Sequence, residues 1–114
     1  MPAPDFAPIV VLMTAGNREE ADRIATLLVE KRLAACVQIL PEIRSVYFWK
    51  NEIQRESEIL LLAKSTQERF PELEREVRAV HSYETPEIIA LEITDASRPY
   101  LNWLGDNVDA GIVG

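Results

Sequence analysis

One histidine, His81, and one cysteine, Cys36, carry the most versatile side chains in this sequence. His81 opens a stretch reading Ser82-Tyr83-Glu84-Thr85-Pro86-Glu87, which places a hydroxyl and carboxylates within a few residues of the imidazole. An imidazole in a loop can ligate a metal or move a proton; at the end of a helix its protonated form favours the dipole. Cys36 lies between Ala35 and Val37 with only Arg32 as a nearby cation, which reads as an inert, buried thiol. Lys64 ends an apolar run, where it either snorkels to the surface or binds an anion in a cleft. Glu56 and Glu58, two apart on a strand, share one face and could hold a cation or simply face solvent. Tyr47, Phe48 and Trp49 are residues of the kind enriched at interfaces. No nucleophile–base–acid set emerges, and neither GxSxG nor HExxH occurs, so no enzymatic mechanism is indicated.

The composition narrows the classes. The chain has 114 residues, 12 basic against 19 acidic, and a net charge of −7. That argues against nucleic acid, which needs a basic face. One cysteine and one histidine exclude an internal disulfide and a Cys/His structural zinc site within one chain. No apolar run approaches the length of a membrane helix, and the N-terminus lacks a basic, apolar leader, so the expectation is a soluble cytoplasmic protein without membrane contact. The four glycines, at 16, 105, 111 and 114, form no phosphate-binding loop, and the glycine-free centre disfavours tight two-residue hairpins.

The elements that must position these residues follow from periodicity. Ile9 to Met13 is a continuous apolar, β-branched run, as in a strand buried on both faces. Asn17 with Glu20 reads as a capping box opening a helix over about 17–31, with Lys31 and Arg32 in its last turn. Residues 34–49 and 53–65 read as two long strands, with Pro41 marking a bulge or an edge and residues 50–52 a turn. Ser65 to Glu68 offers a second capping box before a helix that starts between 67 and 71, with Pro71 in its first turn, and ends before His81. Its Glu72, Glu74 and Glu76 read as a solvated face. A fourth strand is expected over 87–94 and a short helix over 99–107. The order β-α-β-β-α-β plus a terminal helix predicts an α+β, ferredoxin-like fold: a four-stranded antiparallel sheet with two helices on one face. Residues 9–107 form one domain, between a flexible arm over 1–8 and a tail over 108–114.

The central hairpin is too long for its domain. Sixteen residues at ~3.3 Å each span roughly 50 Å, whereas a domain of this size is about 35 Å across. Val46, Tyr47, Phe48, Trp49 and Ile53 make its tip apolar. An exposed apolar ribbon is an association hazard, so a closed homo-oligomer built through these strands is expected.

Five segments, in order and together covering roughly 9–107, resemble the CutA divalent-cation tolerance protein family. They are Lys31 to Val37, Ser45 to Trp49, Glu58 to Lys64, His81 to Ile88, and Tyr100 to Leu104. The resemblance implies a ferredoxin-like fold with a long hairpin, a homotrimer similar to the PII signalling proteins, and a non-catalytic role in tolerance of copper or another divalent cation, with no required cofactor. The family's copper-ligand positions fall on Met13, Val80 and His81. His81 is the retained ligand, and Met13 offers a soft thioether. Ser82 stands where the family usually has proline. The family's inter-subunit cleft would gather Tyr47, Trp49, Glu58, Lys64, His81, Tyr83 and Glu84. The alternative implied by the same resemblance is a PII-like sensor that holds a small anionic ligand in that cleft and signals to a partner.

Overall fold

The computed structural model describes residues 5–108. The apolar run becomes the central strand β1 (Pro8–Ala15), followed by helix α1 (Arg18–Glu30), strands β2 (Cys36–Trp49) and β3 (Glu52–Thr66), a short 3-10 turn (Gln67–Arg69), helix α2 (Phe70–Val80), strand β4 (Ile88–Glu92) and helix α3 (Arg98–Asn107). The sheet order is β2-β3-β1-β4 with every neighbouring pair antiparallel, the arrangement expected from the element order. Ile9, Val11 and Met13 of β1 alternate inward with Leu61 and Ala63 of β3. They form one core with Ala21, Ile24 and Leu28 of α1 and Leu73 and Val77 of α2. Along the opposite sheet face Val10, Leu12, Leu60 and Leu62 are half-buried, and Leu40, Ile89 and Leu91 are exposed.

Local chemistry sets the boundaries. Asn17 caps α1, its Oδ1 accepting the Glu20 N–H at 2.8 Å. The expected reciprocal half of the capping box is not made, because the Glu20 carboxylate turns elsewhere. Lys31 and Arg32 lie just past the helix rather than in its last turn. There Leu33 N–H bonds the Leu28 carbonyl and Arg32 N–H the Val29 carbonyl, a Schellman motif with Arg32 at φ 57° in the left-handed position. Lys31 instead reaches Glu76 of α2 at 2.9 Å, and the acidic side of α2 is laced with ion pairs rather than merely solvated. The second capping box does not form. Ser65 remains in β3 and donates to the Leu33 carbonyl, while Glu68 accepts from the Ala7 N–H.

Two features of the hairpin matter for the site. Between Leu40 and Ile43 the register of β2 slips by one residue against β3, so the bulge falls at Pro41 and Glu42. That extra residue inverts the faces of β2 beyond it. Ile43, Ser45 and Tyr47 are brought opposite Glu58, Glu56 and Gln54, and hence onto the face of Glu58. The turn is a two-residue one, Lys50-Asn51, with positive φ at both positions (52° and 62°), built without the glycine whose absence argued against it. The hairpin carries the molecule to 51 × 29 × 22 Å, so it projects as its length requires.

Of the expected flexible arm, residues 1–4 lie outside the described residues. The rest is tied down: Pro8 pairs with Thr66, Ala7 accepts from the Gln67 N–H, and Phe6 packs where a Cβ on Gly105 would stand. Val108, the first residue of the expected tail, is buried, and 109–114 lie outside the described residues.

Candidate functional site

His81 stands at the C-cap of α2, where the backbone leaves the helix at φ −75°, ψ 143° and its N–H still bonds the Val77 carbonyl. Its side chain is fully buried. Strand β4 pairs with β1 only as far as Met13, and the Thr14 carbonyl just beyond meets His81 Nε2 at 2.7 Å. Nδ1 lies 3.0 Å from the Tyr83 N–H. A carbonyl can only accept and an amide N–H only donate, so these partners assign the proton to Nε2 and leave Nδ1 as an acceptor. Both ring nitrogens are thereby engaged by backbone.

The loop after His81 is held by two carboxylates. Tyr83 donates its hydroxyl to Glu58 Oε2 at 3.0 Å and stacks tilted on His81 at 4.8 Å. Burial, then the hydrogen bond and charge of Glu58, with Glu20 and Glu56 behind, raise the Tyr83 hydroxyl well above its ordinary value of 10.0. Glu58 is itself buried, with 9% exposure. Gly16 permits this closeness: a Cβ there would stand 3.3 Å from the Tyr83 oxygen. The second carboxylate, Glu20, is 3% exposed. It accepts the Gly16 N–H at 2.9 Å and the Ser82 N–H at 2.6 Å, and lies 3.6 Å from His81 Nδ1. Burial pushes the Glu20 carboxyl up. The N–H groups of Gly16 and Ser82, with the Ser82 side chain, outweigh it, leaving the carboxyl below its ordinary 4.5.

Glu20 is the residue that the sequence reading missed. A signal was present: positions 20, 24 and 28 are four apart, so Glu20 continues the buried stripe of Ile24 and Leu28 instead of the exposed face.

The expected cleft residues divide into groups. His81, Tyr83 and Glu58 come together. Tyr47 bonds none of them; its hydroxyl donates to Glu56 at 3.1 Å. Glu58 also lines a cleft of about 290 Å³ between Gly16, Asn17 and Arg18 on one side and Pro41 and Glu42 of the bulge on the other. Lys64 does not join them; its Nζ bonds Gln38 at 2.7 Å. It lies six residues from Glu58 along β3, roughly 20 Å at ~3.3 Å per residue. Trp49 is paired with Glu52, about the same distance the other way, and is 57% exposed. Glu84 is exposed. One small ligand therefore touches both Glu58 and Lys64 only if the two come from different copies.

The metal-ligand positions do not converge. Met13 is sealed in the core opposite Leu61 and Ile88, Val80 has no donor, and both His81 nitrogens are occupied. Among the described residues no group of three His, Cys, Asp or Glu side chains is arranged to hold a metal ion. As folded, these residues do not fit the three-donor copper centre that the resemblance implies.

Comparison with known proteins gives this geometry a context. The chain matches the family model of the CutA1 divalent ion tolerance protein over residues 9–107. It is 49% identical over 98 residues to the divalent-cation tolerance protein CutA of Thermus thermophilus, covering 86% of this chain and 95% of that protein. It is 47% identical over 96 residues to the chloroplastic protein CutA of Arabidopsis thaliana, covering 84% of this chain and about half (53%) of that longer protein. Among solved structures, CutA1 from Oryza sativa superposes with a TM-score of 0.91 at 38% identity, covering 93% of this chain and 97% of that one. A match spanning β1 to α3, with relatives this similar in both sequence and fold, makes the chain a member of the CutA1 divalent ion tolerance protein family.

Proposed function

We propose that this protein serves in divalent-cation tolerance, copper foremost, as a cytoplasmic homotrimer that performs no catalysis. Membership of the family supports the cation, through the name its relatives carry. The observation that carries the assembly is the uncovered apolar surface. Val46, Phe48, Trp49 and Ile53 are each more than half exposed on the projecting hairpin, and Leu40, Ile89 and Leu91 are exposed on the sheet face away from the helices. A second and third copy would cover both. Both nitrogens of His81 are engaged by backbone groups, which favours a binding role over acid–base chemistry at that residue.

Copper(II) titration of the full chain tests the cation, with His81→Ala as control. Binding that weakens in the variant supports His81 as a ligand. Unchanged binding removes it from the ligand set.

A second reading, a PII-like sensor for a small anionic ligand, is favoured by one specific observation: Lys64 and Glu58 are too far apart to act together in one protomer. A trimer would supply the Lys64 of one copy to the cleft of another. Thermal shift with inorganic phosphate, citrate and nucleotides tests it; a stabilisation abolished by Lys64→Ala supports the sensor, and no stabilisation by any of them counts against it.

A further inference from the structure

The loop between α2 and β4 exposes Ser82 to Thr85. Beside the tilted stack of Tyr83 on His81, three hydrogen bonds restrain it. Ser82 N–H bonds Glu20, Tyr83 N–H bonds His81, and the Tyr83 hydroxyl bonds Glu58. The Ser82–Glu20 bond, at 2.6 Å, is the shortest of the three, and its carboxylate acceptor is the more deeply buried of the two that hold the loop. Such bonds are roughly twice as strong as neutral ones. The same carboxylate holds the Gly16 N–H of the β1–α1 loop, so one side chain ties that loop, which lines the Glu58 cleft, to the loop after His81. Ser82 can make this bond because it has a backbone N–H, which a proline lacks.

The geometry points to Glu20 as a latch: its buried carboxylate holds residues 81–84 closed over the body of the protein and thereby keeps both nitrogens of His81 occupied. The Tyr83 N–H that fills the His81 Nδ1 lone pair is one residue from the Ser82 N–H that Glu20 grips. Releasing Ser82 lets the Tyr83 amide move and bares Nδ1, the atom through which His81 could meet a metal without giving up Thr14. This inference deepens the proposed cation role, since it explains why the retained histidine is closed to metal in the folded chain. It makes Glu20 a positioning residue that acts through the loop.

The test uses the full chain as wild type, Glu20→Ala, Glu20→Gln and Ser82→Pro. Three readouts are taken on each: amide exchange at Tyr83, imidazole nitrogen NMR of His81, and line broadening of His81 by copper(II) alone. The latch predicts a protected Tyr83 amide and a single Nε2–H tautomer in wild type. In Glu20→Ala it predicts Tyr83 exchange faster by about tenfold or more and a mixture of tautomers. Ser82→Pro, which removes the same bond from the other side, must reproduce the tautomer change. Should Glu20→Ala fail to fold, Glu20→Gln, which keeps one acceptor oxygen and the shape, must show a smaller change in the same direction. An unchanged tautomer and unchanged Tyr83 protection in the folded variants would overturn the latch. The copper readout separates the two proposals. A loosened loop with no copper at His81 in any variant upholds the latch and contradicts copper ligation by His81. Copper reaching His81 equally in wild type and variants overturns the latch while leaving the cation role standing.

Discussion

Two carboxylates with different surroundings do most of the work at the residue scale. Glu20 accepts two backbone N–H groups that have no other partner at hand, and its carboxyl is held below the ordinary value. A group whose proton affinity falls on folding adds stability above its unfolded pKa and loses that stability as the pH drops through its folded one. Glu20→Gln is therefore expected to cost about 1–3 kcal/mol near neutrality, with the gap from wild type shrinking as the pH falls below 4.5. Urea unfolding of both proteins from neutral pH downward checks this; a gap independent of pH would rule out the charged acceptor. Glu58, by contrast, takes the Tyr83 hydroxyl on one oxygen and lines the cleft. A double-mutant cycle of Tyr83→Phe and Glu58→Gln is expected to show a coupling of about 1 kcal/mol, measured by the same unfolding method. Additive single effects would mean the bond contributes nothing.

At the scale of elements, the bulge at Pro41 and the turn at Lys50-Asn51 set what the long hairpin presents. Both turn residues adopt left-handed backbone, which costs a residue with a Cβ roughly 1–2 kcal/mol and glycine much less. The double change Lys50→Asn with Asn51→Gly supplies the preferred pair for this turn and is expected to stabilise by about 1 kcal/mol, read as a rise in Tm. A fall would mean that the Lys50 side chain makes a contact worth more than the strain. Much of this level was legible in the sequence. β1 was visible as an apolar run, α1 and α2 as stripes with a cap or an N-terminal proline, and Pro41 as an interruption. What escaped depended on contacts between elements. Ser65-to-Glu68 has the residues of a capping box, yet Ser65 is drawn to Leu33 across the fold and the strand runs on to Thr66. Glu20 likewise matched a local motif, while its position on the buried stripe sent the side chain to a loop 62 residues away. Of the residues that the resemblance gathers, His81, Tyr83 and Glu58 lie together within one chain. Trp49 and Lys64 stand apart from them within one protomer, separated by strand rise that a list of motifs does not show.

For the whole molecule, the long dimension and the position of the apolar surface carry the account. A chain of this length with a 51 Å axis carries a hairpin whose Val46, Phe48, Trp49 and Ile53 are exposed, an apolar surface of the kind that marks an interaction site. The proposed trimer offers a way for Lys64 of one copy to meet Glu58 of another, which one protomer does not. Sedimentation equilibrium at micromolar concentration tests this most directly. The account predicts a single species of three times the 12.9 kDa chain mass, and a shift toward the chain mass when Phe48→Glu and Trp49→Glu are introduced together. A wild-type protein sedimenting at the mass of one chain would contradict it.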